Sequence, residues 1–280
     1  MRHSLCLPAL LLTACNAALT DLPVAIDPDA APAAGSGDGS AGDTPYVSSV
    51  TVSLTFDDTD ADQFQVGAML KARDMRATFY VNSTRIGTTS YMTMQQVQSL
   101  ARDGNEIAGH TLSHPHLTTL TLDDARREIC NDRAALIADG FPVTSFAYPF
   151  GDSDTPVEQI ASDCGYNSAR DVGGFNAGTC MQCPVANASP PADPYDVRTP
   201  PSVVETTTLD MLQSYVLRAE AQGGGWVPLV LHHVCDGCNS LSISPALLEE
   251  YLDWLQAHGV AVRTVQEMID GAVQAAITVP

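Results

Sequence analysis

From residue 46 onward, short β-branched and apolar runs alternate with amphipathic helical stretches, and that alternation restricts the chain to folds built from βα units. The strand-type runs fall at 49–56, 77–81, 106–108, 145–148, 167–170, 197–198, 226–231 and 260–265. Between them lie helical patterns such as 122–137 and 245–258. The second begins with Ser244 as N-cap and Pro245 at the first helical position, and closes at Gly259. Seven or eight such units predict a parallel sheet or barrel. In a βα barrel the carboxyl ends of the strands carry the chemistry, so residues distant in sequence converge there. The polar residues at those ends are Asp57, Asp58, His110, Arg170 and His232.

With 280 residues, 45% of them hydrophobic, the chain can bury the core of one such domain. Its 13 Lys+Arg against 33 Asp+Glu leave a formal net charge of −20. That field repels nucleic acid and anionic lipid, which leaves neutral or cationic partners or simple solubility as its role. The first residues pair Arg2 with an apolar run at 5–12, shorter than the about 20 residues a membrane span requires, so they predict an export signal over 1–14. The string Leu12-Thr13-Ala14-Cys15 is similar to the bacterial lipobox, which predicts a lipid anchor at Cys15; an ordinary signal peptide cut nearby is the alternative. Residues 15–45 include the Ala-, Asp-, Pro- and Gly-rich stretch 21–45 with no aromatic, and are expected to act as a tether ahead of a catalytic domain at 46–275. Export also suits the cysteines. Beyond Cys6 and Cys15 there are Cys130, Cys164, Cys180, Cys183, Cys235 and Cys238, an even set that reads as disulfides with the pairing open; a four-cysteine zinc site built from the two CxxC pairs is the alternative.

Two clusters carry chemistry. Asp57 and Asp58 follow the run TVSLTF, and their side chains must diverge at a strand end, so one can bind a metal while the other faces a substrate. An isolated Asp-Asp is usually a solvated turn, and its place after a strand is what singles it out. In GHTLSHPHL, His110 and His114 lie four apart, on one face if the segment makes a helical turn, and neutral imidazole is a common ligand for zinc.

The strings TFDD at 55–58, HTLSHP at 110–115, YPFG at 148–151 and LVLHH at 229–233 resemble, in order and spacing, the polysaccharide deacetylase family, carbohydrate esterase family 4, over roughly residues 50–270. The resemblance implies a distorted (β/α)7 barrel with a single catalytic domain. It implies a Zn2+ or other divalent ion such as Co2+ held by Asp58, His110 and His114, with Asp57 as the base that takes a proton from water. It places the oxyanion against the YPFG turn at Tyr148 and Phe150, and makes His232, or failing that His233, the acid that protonates the leaving group. The implied partner is an acetylated polysaccharide met by a monomer outside the cytoplasm, with no nucleic acid and no membrane contact beyond the Cys15 anchor.

Several positions depart from the family pattern. Thr59 stands where the family has Gly, and Ala147 stands where its third motif has an arginine that pairs with the catalytic Asp. Arg170 or Arg198 is the candidate replacement. The family's Asp-Trp motif is not evident, and residues 172–197 are expected to form a long loop instead. A barrel that kept its fold and binds carbohydrate without activity is the alternative of another class. A metal-dependent phosphoesterase would want more basic residues than a chain with Lys71 as its one lysine.

Overall fold

The computed structural model describes residues 47–176 and 180–280, so the predicted signal, Cys15 and the tether lie outside the described residues. The described residues pack as one unit.

Seven strands wind parallel to one another in chain order: β1 (Val50–Phe56), β2 (Thr78–Val81), β3 (Glu106–Gly109), β4 (Ser145–Ala147), β5 (Ser168–Gly174), β6 (Val197–Thr199) and β7 (Gly225–Leu231). Strand β1 is the hub, with Val50 to Phe56 pairing Gly225 to Leu231 along one edge. Its other edge takes β2 at Thr55 and Phe56. Below that it takes β10 (Ala261–Val262) at Thr51 and Val52. Among the described residues no strand pair joins β6 to β7. That seam is bridged by the loop contacts Asn187 to Trp226 and by the Val203 N–H donating to the Val230 carbonyl at 2.9 Å. The result is the expected distorted (β/α)7 barrel, left unzipped along one side.

Alternation along β1 explains the layering. Val52, Leu54 and Phe56 face outward into the main apolar core with Phe79, Val81 and Ile107. Ser53, Thr55 and Asp57 take the opposite parity, and the Trp226 indole donates to the Ser53 hydroxyl at 2.9 Å inside the barrel. The interior is filled by Tyr80, Ala108, Ala147, Val197, Trp226 and Val265. Outside lie α1 (Val66–Lys71), α2 (Met94–Arg102), α3 (Leu122–Ala138), α4 (Thr155–Asp163), α5 (Leu209–Ala221), α6 (Pro245–Ala257) and α7 (Val265–Ile269). Helix α6 starts as its sequence dictates, with the Ser244 side chain accepting from the Leu247 N–H at 3.1 Å, and Gly259 just past its end adopts φ +67°.

The connection from β5 to β6 contains no helix among its described residues. Part of it runs back to the amino end of β7, where Asn187 and Trp226 exchange main-chain hydrogen bonds of 2.8 and 2.9 Å. The long loop expected over 172–197 is therefore the crossover from β5 to β6. All three disulfides are present: Cys130–Cys164 ties α3 to the end of α4, and Cys180–Cys183 and Cys235–Cys238 each close a CxxC on itself. With both pairs closed in this way, the four-cysteine zinc alternative is not formed. No helix among the described residues is long and apolar enough to cross a membrane.

Candidate active site

The ladder between strands continues past their carboxyl ends and brings the polar residues to one level. The Asp57 N–H donates to the Leu231 carbonyl at 3.0 Å, the His110 N–H to Val81 at 3.0 Å and the Tyr148 N–H to Arg170 at 3.1 Å. A cleft of about 150 Å³ opens there, lined by Asp57, Asp58, His110, His114, Phe150 and His232 among others. A larger cavity of about 410 Å³ lies at the opposite, amino face near Arg76, Glu106 and Glu267, and holds none of the candidate residues.

Asp58 turns its carboxylate away from Asp57 by adopting φ +79°, followed by Thr59 at φ +72°. A β-branched residue in the left-handed region is strained by on the order of 1–3 kcal/mol. Thr59 has compensation: its hydroxyl accepts the Asn82 N–H at 2.8 Å and its carbonyl the Met92 N–H at 2.9 Å. The departure from Gly is thus absorbed by the loop after β2. Asp58 Oδ1 lies 3.1 Å from His114 Nε2 and 3.7 Å from His110 Nε2. One ligand atom from each of these three residues fits within 4.8 Å of the others.

The two histidines meet through a turn instead of the helical turn their spacing allowed. Thr111 and His114 both have positive φ, and the Thr111 hydroxyl accepts the His114 N–H at 2.9 Å, which bends the chain so that the rings sit 4.8 Å apart. His110 places Nδ1 2.7 Å from the Ala147 carbonyl, so Nδ1 carries the proton and Nε2 offers its lone pair toward Asp58. Below it, the Asp132 carboxylate accepts the main-chain N–H of His110 at 3.1 Å and of Ser83 at 2.8 Å. Burial, reinforced by neighbouring His110, pushes His114 down to about 4, which keeps its ring neutral. Two imidazoles and a carboxylate on one small cradle match the donor set that a divalent ion takes.

Asp57 is buried at the cleft floor and contacts the Arg170 guanidinium directly. Burial alone would raise its carboxyl; the positive charge of Arg170, aided by His110 and His232, outweighs this and holds it below the usual carboxylate range. Arg170 reaches it from β5, stacked over the Tyr80 ring at 4.8 Å. The register is informative: Arg170 pairs with Ala147 on β4. Direct partners on adjacent strands project to the same face. The guanidinium therefore arrives one strand sideways from the position where it was missed, over a side chain small enough to leave room. Arg198 instead pairs with Asp196 near the surface at 3.3 Å.

His232 Nε2 lies 4.0 Å from Asp57 Oδ2. Burial lowers its pKa while the Asp57 charge opposes the shift. His233 is held apart, with Nδ1 2.8 Å from Asp62 and Nε2 3.3 Å from Asp60. Phe150 sits at the rim with φ +62°, stacked on His116 at 3.9 Å and edge-on to His114 at 4.4 Å. Tyr148 does not line the cleft. Its ring is fully buried and its hydroxyl donates to the Tyr195 carbonyl at 3.1 Å, so a direct substrate contact through that side chain is not formed. Arg85 was not anticipated; it donates to Asp58 Oδ1 at 3.0 Å from the loop after β2, and no local motif marks it.

Residues 46–169 match the polysaccharide deacetylase family. The chain is 34% identical over 98 residues to chitin deacetylase 1 of Cryptococcus neoformans, covering 34% of this chain and 20% of that one. It spans less than half the length of the curated relatives it matches. Among solved structures it is similar to a peptidoglycan N-acetylglucosamine deacetylase, with TM-score 0.55, 18% identity, and coverage of 82% of this chain and 92% of that chain. A family pseudoenzyme from Bacillus anthracis is alike to a similar degree, with TM-score 0.53, 18% identity, and coverage of 79% and 65%. At these identities the structural likeness concerns the fold.

Proposed function

We propose that the chain, whose residues 46–169 match the polysaccharide deacetylase family, is a metal-dependent hydrolase that removes acetyl groups from a carbohydrate. The substrate read here is a polymer containing N-acetylglucosamine, such as chitin, peptidoglycan or poly-N-acetylglucosamine. The observation that carries the reading is the joining, in one cleft, of the Asp58, His110 and His114 cradle with a buried Asp57 held ionised by Arg170.

Asp58, His110 and His114 would hold the ion. Bound there, a divalent ion supplies Lewis acidity to the acetyl carbonyl and acidity to water. Asp57 takes the proton from the attacking water, and its depressed pKa keeps it ready as an acceptor at neutral pH. Arg170 orients that carboxylate and withholds it from solvent. The main chain at Phe150 faces the developing oxyanion, and its ring forms the rim over which the sugar lies. His232 gives a proton to the leaving nitrogen or oxygen; burial makes its protonated form a ready donor. The chain is read as exported, with its anchor at Cys15.

An acetylxylan esterase would use the same residues on an O-acetyl group. A carbohydrate-binding protein without activity is the second reading, favoured by Ala147 in the third motif and by the pseudoenzyme of the same fold; the Arg170–Asp57 contact weighs against it. Acetate release from chitin oligomers, peptidoglycan, poly-N-acetylglucosamine and acetylxylan, with zinc or cobalt supplied, tests all three. Release from the amide polymers is expected. Release from acetylxylan alone moves the reading to the esterase, and none from any polymer, with metal bound, to the inactive binder.

A further inference from the structure

Between the strand ends that carry Asp57 and His232 sits a fully buried amide, Gln63. It belongs to the 3-10 segment Ala61–Gln65, close behind the aspartate pair. Its Nε2 donates to the main-chain carbonyl of Asp57 and, at 3.2 Å, to that of His232. Both partners are acceptors only, so the NH2 end of the carboxamide must face them, and its two N–H bonds suffice for both.

The place of these bonds matters. The ladder between β1 and β7 reaches its end where the Asp57 N–H meets the Leu231 carbonyl. The carbonyls of Asp57 and His232 lie beyond it, where the two chains have no further strand pairing among the described residues. Neighbours of Gln63 fasten the same stretch. Asp62 accepts from the Val234 N–H at 3.0 Å and sits 2.8 Å from His233 Nδ1, and Gln65 Nε2 donates to the Val234 carbonyl at 2.7 Å. The buried Nδ1 of the His232 ring has no hydrogen-bond partner among the described residues. Its position relative to Asp57 is inherited from the main chain.

We propose that Gln63 is a positioning residue that sets the separation of Asp57 and His232 across the reacting acetyl group. This rests on the base and acid roles proposed above. Misplacing a catalytic group by about 1 Å costs on the order of 100-fold in rate, so one amide bridging two carbonyls acts on the turnover number without touching the substrate.

The test compares an N-acetylglucosamine oligomer, whose amide nitrogen must be protonated to leave, with an aryl acetate, whose phenolate leaves unaided. Gln63→Met removes both donors at nearly constant volume. It is expected to lower kcat on the oligomer about 10- to 100-fold, with KM and bound zinc unchanged within about twofold and a smaller loss on the aryl acetate. In a His232→Ala background the same change should cost little more, because its effect is already spent. Should Gln63→Met fail to fold, Gln63→Glu, which keeps the shape of the side chain, carries the same expectation. A lowered Tm with full kcat makes Gln63 a structural residue and overturns the proposal, as does an equal and additive loss in the His232→Ala background. If Asp57→Asn is dead and Gln63→Met works at the wild-type rate, only this proposal falls; wild type inactive with zinc and cobalt overturns the deacetylase reading with it.

Discussion

The first four strands and the last three supply the cleft in different ways. Asp57, Asp58, His110 and His114 come from β1 and β3, in strings of two and five residues whose own turns aim the side chains. Arg170 and His232 come from β5 and β7, and each is held in place by lateral partners: the β4–β5 register for one and a buried amide 169 residues away for the other. The family match covers 46–169 and ends one residue before Arg170. A metal cradle demands fixed geometry among its own ligands and so is written locally. A guanidinium that steadies a carboxylate needs only to arrive at the right point in space, and several strands can deliver it.

The largest expected effect removes the local half. His110→Ala with His114→Ala should abolish bound zinc and bring acetate release to background while the far-UV dichroism stays that of the wild type; full zinc occupancy in a metal count would refute the cradle. Splitting the aspartates comes next. Asp58→Asn should lose metal, because a neutral amide is a poorer partner for a dication, whereas Asp57→Asn should keep it and fall at least about 100-fold in kcat. The reverse pattern in metal content would exchange their roles.

Arg170→Met probes the distant half. It should cost about 10- to 100-fold in kcat, since it leaves Asp57 buried and unsupported, and adding Ala147→Arg should return part of that rate. No loss in the single variant would erase the contrast between the halves. The smallest effect concerns Asp171, next to Arg170. Burial raises its pKa to about 6, although the Ser153 hydroxyl bond opposes the shift. A carboxyl that binds its proton more tightly when folded favours the native state in acid and costs stability as pH rises from its unfolded value of about 3.9 to the folded one. Asp171→Asn should therefore raise Tm at pH 8, by at most about 2–4 °C because the group is partly solvated, and change little near pH 4. A gain at acid pH instead would reverse the assignment.

Much of the scaffold was readable before folding. The parities of β1, the cap at Ser244 and the turn at Gly259 follow from local chemistry, and each strand-type run overlaps a strand, although β5 continues to Gly174, four residues past its run. The two-residue strands β8 (His233–Val234) and β9 (Ser242–Ile243) are too short to leave a periodic signal. The helix-free crossover to β6 was visible as a Gly-, Pro- and Cys-rich stretch, but not its return along the barrel wall, which depends on Asn187 meeting Trp226. In the site, the paired aspartates and the spaced histidines stand out because each pair sits together in sequence just past the end of one strand. Gln63, Arg85 and Asp132 gave no such sign. A glutamine, an arginine and an aspartate in ordinary surroundings become functional candidates only when the fold shows which carbonyl, carboxylate or N–H each one meets.

The pairing of Ala147 with Arg170 has a bearing on how relatives of this chain are to be recognised. Adjacent rungs of a parallel barrel are interchangeable mounting points for a long side chain, so a charge can migrate sideways during divergence while the catalytic carboxylate feels the same field. A linear signature records that migration as a loss. Reading round the circumference, with one column for each height in the barrel, would group such chains by the charge that reaches the carboxylate and set apart those in which the whole column is empty.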